Sequence, residues 1–310
     1  MTPVKRRMLI TGGSGFIGSQ LIDALTRTGE WEEIHAIHHS ATVPTTPNKA
    51  LIWHRADLLN KTTPADLLAS IKPSHLIHGA WVTDHGAFWA DQRNSEWLAA
   101  SVRLADAFAR HGGQRFINLG SVAEYDWQSG RMVEDETPET PSSFYGKSKL
   151  AFHRELLARG RKGDFSSATG RIFFVYGPKE KPQRLVAAAC RSLITDQSEI
   201  FSVGSQWRDY MHVSDLARGI YALTTSPLEG AVNIASGAPI RVSFILDELE
   251  KLAHKPGQLS RKTKSPADEE VPMLFGHAER LASTGWRPLV SLEEGLRQTL
   301  NWWREQLLKG

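Results

Sequence analysis

The chain has 310 residues, with 37 Lys and Arg against 34 Asp and Glu, and 41% hydrophobic residues. This is an ordinary globular balance, and its net charge of +3 is too small to mark a nucleic-acid-binding or membrane-surface protein. No apolar run approaches the about 18 residues that cross a bilayer, no signal peptide precedes the first expected strand, and the single cysteine, Cys190, excludes an intramolecular disulfide. A cytoplasmic setting is expected.

Residues 7–18 read RMLITGGSGFIG. Met8, Leu9 and Ile10 form the short apolar run of a strand buried on both faces, and Phe16, Ile17, Leu21, Ile22 and Leu25 pick up a helical rhythm. Between them Gly12, Gly15 and Gly18 stand three apart. Gly12 suits a tight turn, Gly15 a close approach of backbone to a pyrophosphate, and Gly18 close packing of helix on strand. The pyrophosphate would rest on the first free N–H groups of the helix, at Phe16 and Ile17. The segment is read as a dinucleotide-binding turn.

Residues 33–37 (EIHAI) predict a second strand. About 20 residues beyond the last glycine, an NAD-type site carries an acid for the ribose 2′-hydroxyl. Here the chain places His38, His39 and Ser40, with no carboxylate to repel a 2′-phosphate, which favours NADP(H) and leaves NAD(H) as the alternative. These histidines lack a third ligand and predict no metal site. Residues 42–49 read as a loop, 51–54 as a strand and 64–71 as a helix. Asp57 and Leu58 lie where a turn cap can meet the adenine. Residues 74–79 predict a fourth strand, whose end places Ala80 and Trp81, with the loop 82–89, beside the nicotinamide or the substrate.

A long amphipathic helix is expected over 94–111, stopped by Gly112 and Gly113, and a strand over 115–119 that runs into Ser121. An acidic, Pro- and Ser-rich loop then leads to a helix starting near Ser143. It carries Tyr145 and Lys149, four apart and so on one face. A lysine ammonium one turn away lowers the phenol's pKa from near 10 and makes Tyr145 a usable proton donor. Beyond it, helices are expected over 182–194, 212–224, 240–252 and 293–307, strands over 200–203 and 231–234, and a polar loop over 258–272.

With these pieces in place, the chain resembles the extended short-chain dehydrogenases/reductases of the nucleotide-sugar epimerase, dehydratase and ketoreductase group. The matching segments are TGGSGFIG at 11–18, Asp57-Leu58, Asn94, Ser121, YGKSK at 145–149, RIFFVYGP at 171–178, RDYMHVSDLA at 208–217 and TGWRPLVSLEEGLRQTLNWW at 284–303. The resemblance implies an α/β fold, a doubly wound parallel sheet of Rossmann type with a smaller C-terminal substrate lobe. Residues 1–177 and about 208–236 would form the dinucleotide-binding domain, and about 178–207 and 237–310 the substrate lobe. It implies a catalytic trio of Ser121, Tyr145 and Lys149, the last two also contacting the cofactor. The substrate contacts would be Ser121, Glu124, Tyr145 and Arg208, the last gripping a diphosphate, although an Arg208–Asp209 ion pair is the competing role. His212 and Asp215 read as capping and packing groups.

Departures from the family pattern narrow the activity. Dehydratases place Asp-Glu directly after the hydroxyl residue, where this chain has Val122 and Ala123. Epimerases acting at C3 and C5 use a second acid/base pair, and Cys190 is far along the chain. Phe174 stands where 4-epimerases carry Asn. These features favour an NADP(H)-dependent reductase of a nucleotide-diphosphate 4-keto-6-deoxyhexose. The alternatives are an NAD-dependent nucleotide-sugar 4-epimerase, a reductase of a non-sugar carbonyl, and a non-catalytic NAD(P)-binding sensor or scaffold. The helices 94–111 and 143–159 could pair with a second copy in a homodimer.

Overall fold

The computed structural model describes residues 6–39, 50–84, 86–197, 199–262 and 271–309. Ser40 and the loop expected over 42–49 lie outside the described residues, as does most of the polar loop expected over 258–272. Two compact units divide the chain. One takes the residues up to Asp126, Pro138–Arg171 and Ala217–Val232, and the other takes Trp127–Thr137, Ile172–Leu216 and the residues from Asn233 onward.

The first unit alternates strands and helices: β1 (Arg7–Thr11), α1 (Phe16–Thr28), β2 (Glu33–His38), β3 (Leu51–Arg55), α2 (Thr63–Ile71), β4 (His75–His78), α3 (Arg93–Arg110), β5 (Arg115–Ser121), α4 (Phe144–Lys162), β6 (Ser166–Ile172) and β7 (Gly230–Ile234). The large parallel sheet has seven strands in the order β3-β2-β1-β4-β5-β6-β7. After β3 the chain returns past β1 to lay down β4 on its other side. That reversal opens a crevice at the carboxyl ends of β1 and β4, where doubly wound sheets bind ligands. The register pairs Leu9 with His35 and with Leu76, and Ile10 with Ala36 and with Ile77.

Side-chain chemistry sets these elements. Met8, Leu9 and Ile10 are buried, as an interior strand of a parallel sheet requires, with β2 on one side of β1 and β4 on the other. Leu104 and Phe108 of α3, Phe116 of β5, Phe152 and Leu156 of α4, and Phe165 close one core. The rings of Phe108 and Phe116 meet edge to face at 5.6 Å, and each large side chain buried in this way contributes about 1.5–3 kcal/mol. Helix α4 starts at Ser143, whose hydroxyl accepts from Gly146 N at 3.0 Å, and stops at Gly163 in the left-handed region.

Strand β6 was not expected. Its sequence, SSATGRI, has no apolar run, yet five of its seven residues are buried. It is stable there because its polar groups find partners. Ser167 Oγ donates to the Leu156 carbonyl at 3.2 Å, and Thr169 Oγ1 bonds His153 Nδ1 at 2.9 Å.

The second unit has its own core, with Val186, Cys190 and Leu193 from the helix Leu185–Thr195 packed with Ile245, Leu249, Leu296, Leu300 and Trp303. Its four-stranded sheet is centred on Trp207–Arg208 and Met273–Gly276. The strand Met273–Gly276 also escaped the sequence, and the helix expected over 240–252 is a short strand, Ile240–Arg241, followed by a helix over Val242–Ala253.

Candidate active site

The glycine turn is shaped to leave a backbone cradle. Gly12 has φ +72°, and a Cβ there would lie 2.9 Å from Ala80 N. A Cβ on Gly18 would lie 2.1 Å from Gly12 O, so helix α1 can sit on the turn only with glycine at that position. Gly15 N donates to Gly12 O at 3.1 Å and Gly15 caps α1 without a side-chain hydrogen bond. The first turn of α1 has no acidic residue. The helix therefore offers the N–H groups of Phe16 and Ile17, with its positive end, to an anion. These residues fit the pyrophosphate of a dinucleotide.

Beside the turn lies a buried polar chain. Ser101 Oγ donates to the Trp97 carbonyl at 2.7 Å, so the 2.8 Å contact between His78 Nε2 and Ser101 Oγ must be donated by the histidine. His78 Nδ1 then accepts from Thr11 Oγ1 at 2.7 Å, and Thr11 Oγ1 in turn accepts from Gly79 N at 3.1 Å and Ala80 N at 3.2 Å. This sequence of bonds requires a neutral imidazole. Burial, aided by the charge of Lys149, pushes the His78 pKa down to about 3. The chain holds the ends of β1 and β4 at a fixed spacing around the crevice.

At the end of β2, His38 is buried and meets the Trp53 ring edge-on at 5.8 Å, while His39 is exposed. The strand's own carboxylate, Glu33, sits at its start, bound to Arg7 Nε at 2.8 Å. His35 and His54 share a 2.8 Å hydrogen bond. Among the described residues no group of three or more His, Cys, Asp or Glu could hold a metal ion. Asp57 Oδ1 accepts from Leu59 N at 3.0 Å and caps the turn after β3, with Leu58 buried beneath it.

Ser121 ends β5. Its N–H donates to Glu124 Oε1 at 2.9 Å and its Oγ accepts from Ala123 N at 3.2 Å, a reciprocal cap on the short turn Val122–Glu124. Helix α4 packs on that turn through Gly146, where a Cβ would stand 2.1 Å from the Ala123 carbonyl oxygen. The neighbouring Tyr145 is thereby brought against the segment that carries Ser121. Tyr145 N donates to the Trp89 carbonyl at 3.1 Å, and its ring meets Phe88 edge-on at 4.9 Å. One turn on, Lys149 Nζ donates to the Leu119 carbonyl at 3.0 Å and lies 5.9 Å from the Tyr145 ring centre. Burial pushes the Lys149 pKa down to about 7, with Glu124 opposing. Lys149 is thus bonded to β5, the strand that ends in Ser121, one helical turn from Tyr145.

The structure corrects the substrate role of Glu124. Its side chain is fully buried, with one oxygen held by Ser121 N and the other by Arg171 Nε at 2.9 Å. Arg171 in turn pairs with Glu139 and lies over the Tyr125 ring. Glu124 therefore fixes the backbone at Ser121.

Within the second unit, the Arg208 guanidinium stands 5.7 Å from the Phe174 ring centre, and the side chain is mostly buried. Asp209 is engaged elsewhere: its oxygens accept from Ser236 N and Oγ, Gly237 N and Gly276 N. His212 Nδ1 accepts from Ser214, and Asp215 accepts from Leu289 N and Val290 N, which are capping and packing roles. Cys190 is fully buried and burial pushes its pKa up, so it is an unreactive core thiol.

Sequence reasoning named Asn94 as a point of resemblance and placed Phe88 in the loop beside the crevice, without a partner for either. Asn94 is fully buried; it accepts from Trp81 Nε1 and donates to the Phe88 and Asp91 carbonyls, each at 2.8 Å. The available signal was an amide among apolar residues on the buried side of an amphipathic helix.

Comparison with known proteins gives the family. Residues 8–235 match the model of the NAD dependent epimerase/dehydratase family. The chain is similar to UDP-glucuronate 4-epimerase of Thermodesulfobacterium geofontis, 26% identical over 213 residues, 68% of this chain and 65% of that one. It is 25% identical to dTDP-glucose 4,6-dehydratase of Neisseria gonorrhoeae, covering 97% of this chain and 96% of that one. The crystal structure of Thermus thermophilus UDP-glucose 4-epimerase complexed with NAD superposes with a TM-score of 0.82 at 25% identity, over 96% of this chain and 99% of that chain. With the glycine cradle and the Ser121, Tyr145 and Lys149 cluster in place, the chain belongs to the NAD-dependent epimerase/dehydratase family, oxidoreductase-type enzymes of the extended short-chain dehydrogenase/reductase class.

Proposed function

We propose that this enzyme reduces the C4 carbonyl of a nucleotide-diphosphate 4-keto-6-deoxyhexose with NADPH. The observation that carries the reading is the turn after Ser121. Val122 and Ala123 follow the hydroxyl residue, where dehydratases carry Asp-Glu, and the first carboxylate after them, Glu124, is buried and bonded to Arg171, which speaks against dehydration.

The nicotinamide, when bound, supplies the hydride. Ser121 Oγ already accepts from Ala123 N, which leaves its O–H proton to donate to the substrate carbonyl oxygen and polarise it. Tyr145 delivers its phenolic proton to that oxygen as the carbon is reduced, so no alkoxide accumulates. Lys149, as the ammonium, stabilises the phenolate left on Tyr145 and holds the cofactor ribose. Arg208, a planar fork, suits the substrate diphosphate. The choice of NADPH rests on the histidines at the end of β2, where no acid opposes a 2′-phosphate.

A second reading, an NAD-dependent nucleotide-sugar 4-epimerase, is supported by the names of the relatives, which include 4-epimerases and an NAD complex. The two separate by cofactor titration followed by fluorescence quenching. Exchangeable NADPH preferred over NADH by about tenfold, roughly 1.4 kcal/mol, supports the reductase. NAD⁺ that co-purifies and resists exchange overturns it in favour of the epimerase.

A further inference from the structure

Trp81 follows the end of β4 and is almost fully buried. Its indole N–H is tied to Asn94 Oδ1 at 2.8 Å, and its ring stacks on Trp97 at 28° between planes. Lys149 Nζ stands over the same ring, 4.0 Å from its centre, closer than to the Tyr145 ring at 5.9 Å. The ammonium's hydrogen bond goes to the Leu119 carbonyl. The titratable groups around it are Tyr145 and His153 on its own helix, the neutral His78 on β4, and Glu124 after β5, whose oxygens are taken by Ser121 N and Arg171.

We propose that Trp81 is a positioning residue for Lys149: its π face holds the ammonium at the end of β5 and sets the pH above which the Tyr145–Lys149 pair stops working. A buried ammonium is driven toward the neutral amine unless something favours its charge. The electron-rich indole face does so, and its attraction grows when both partners are desolvated. The Asn94 bond and the Trp97 stack fix the ring so that its face, rather than its edge, meets the ammonium. A cation met by the edge would be repelled.

The alternative is that Trp81 only fills space, and a titration separates the two. The full chain is grown with lysine labelled at the ε carbon, and the Lys149 resonance, assigned by its loss in Lys149→Met, is followed against pH in the wild type, Trp81→Phe and Trp81→Leu. Trp81→Leu is expected to lower the Lys149 midpoint by about one pH unit, and Trp81→Phe, which keeps a weaker face, by about half of that. Thermal unfolding establishes that each variant is folded. If Trp81→Leu does not fold, the Phe variant alone decides. An unchanged or raised Lys149 midpoint in a folded variant overturns the proposal.

The second readout, the alkaline limb of the kcat profile, rests on the carbonyl-reduction reading and should move down with the midpoint. A shifted midpoint in an enzyme that reduces no keto-sugar would sink that reading and leave the Trp81 proposal standing.

Discussion

Arg171 Nε lies 2.9 Å from Glu124 Oε2, and neither side chain reaches solvent. Removing Glu124 takes from the buried Arg171 the carboxylate on its Nε, leaving it paired with Glu139, and takes from Ser121 N its acceptor. The pair also anchors the backbone at Ser121, because the second Glu124 oxygen accepts from Ser121 N. Glu124→Leu is therefore expected to destabilise the fold by about 3–5 kcal/mol in urea unfolding, as broken buried pairs do. A loss under about 1 kcal/mol would show that the pair holds nothing in place.

The pH response of stability carries the imprint of His78. Its pKa is about 3 in the folded chain and 6.5 when exposed, so between these values the unfolded chain binds the extra proton. Stability from this group is complete above about pH 6.5 and falls as pH drops toward 3, at up to about 1.4 kcal/mol per pH unit. Urea unfolding of wild type and His78→Leu at pH 6.5 and pH 4.5 should show the wild type losing more stability than the variant over that step. Equal losses would mean that His78 is not held neutral.

The glycine cradle predicts a separation of folding from binding. A Cβ on Gly15 meets only Gly12 O, at 3.2 Å, and the residue's φ of −76° suits alanine. Gly15→Ala should fold with a melting temperature near that of the wild type and yet bind dinucleotide at least about tenfold more weakly, because the methyl group occupies the space the pyrophosphate needs. Unchanged cofactor affinity by fluorescence titration would remove the turn from the binding site.

How much of this was legible in the sequence depends on whether the signal was local. The cradle was legible because an apolar run, three spaced glycines and a helical rhythm fall within eighteen consecutive residues, Met8 to Leu25. The trio Ser121, Tyr145 and Lys149 rests on resemblance, and the spacing of the last two places them one turn apart on α4. Strand β6 was not, since its burial rests on hydrogen bonds from Ser167 and Thr169 to α4 that no apolar periodicity records. Glu124 was misassigned because its partner lies 47 residues on. Trp81 was placed at the cofactor crevice, but its ring's approach to Lys149 depends on Asn94, another long-range bond.

The proposed reduction gives Tyr145 the role of proton donor. Tyr145→Phe keeps the ring that packs on Phe88 and removes only the hydroxyl. Turnover should fall by about 10²–10⁴-fold, the range for loss of a general acid, while cofactor affinity stays within about twofold. Loss of both activity and cofactor binding would contradict the assigned role.

The central claim is net hydride delivery to C4 of the sugar, and isotope transfer tests it most directly. The enzyme is incubated with a nucleotide-diphosphate 4-keto-6-deoxyhexose and NADPH carrying deuterium at the transferable position, and the product is examined by mass spectrometry and proton NMR. The account predicts a single deuterium at C4 and one NADP⁺ formed for each product molecule. A keto-sugar recovered unchanged with no NADP⁺ formed, or a nucleotide hexose epimerised at C4 in a parallel incubation without added cofactor, would contradict it.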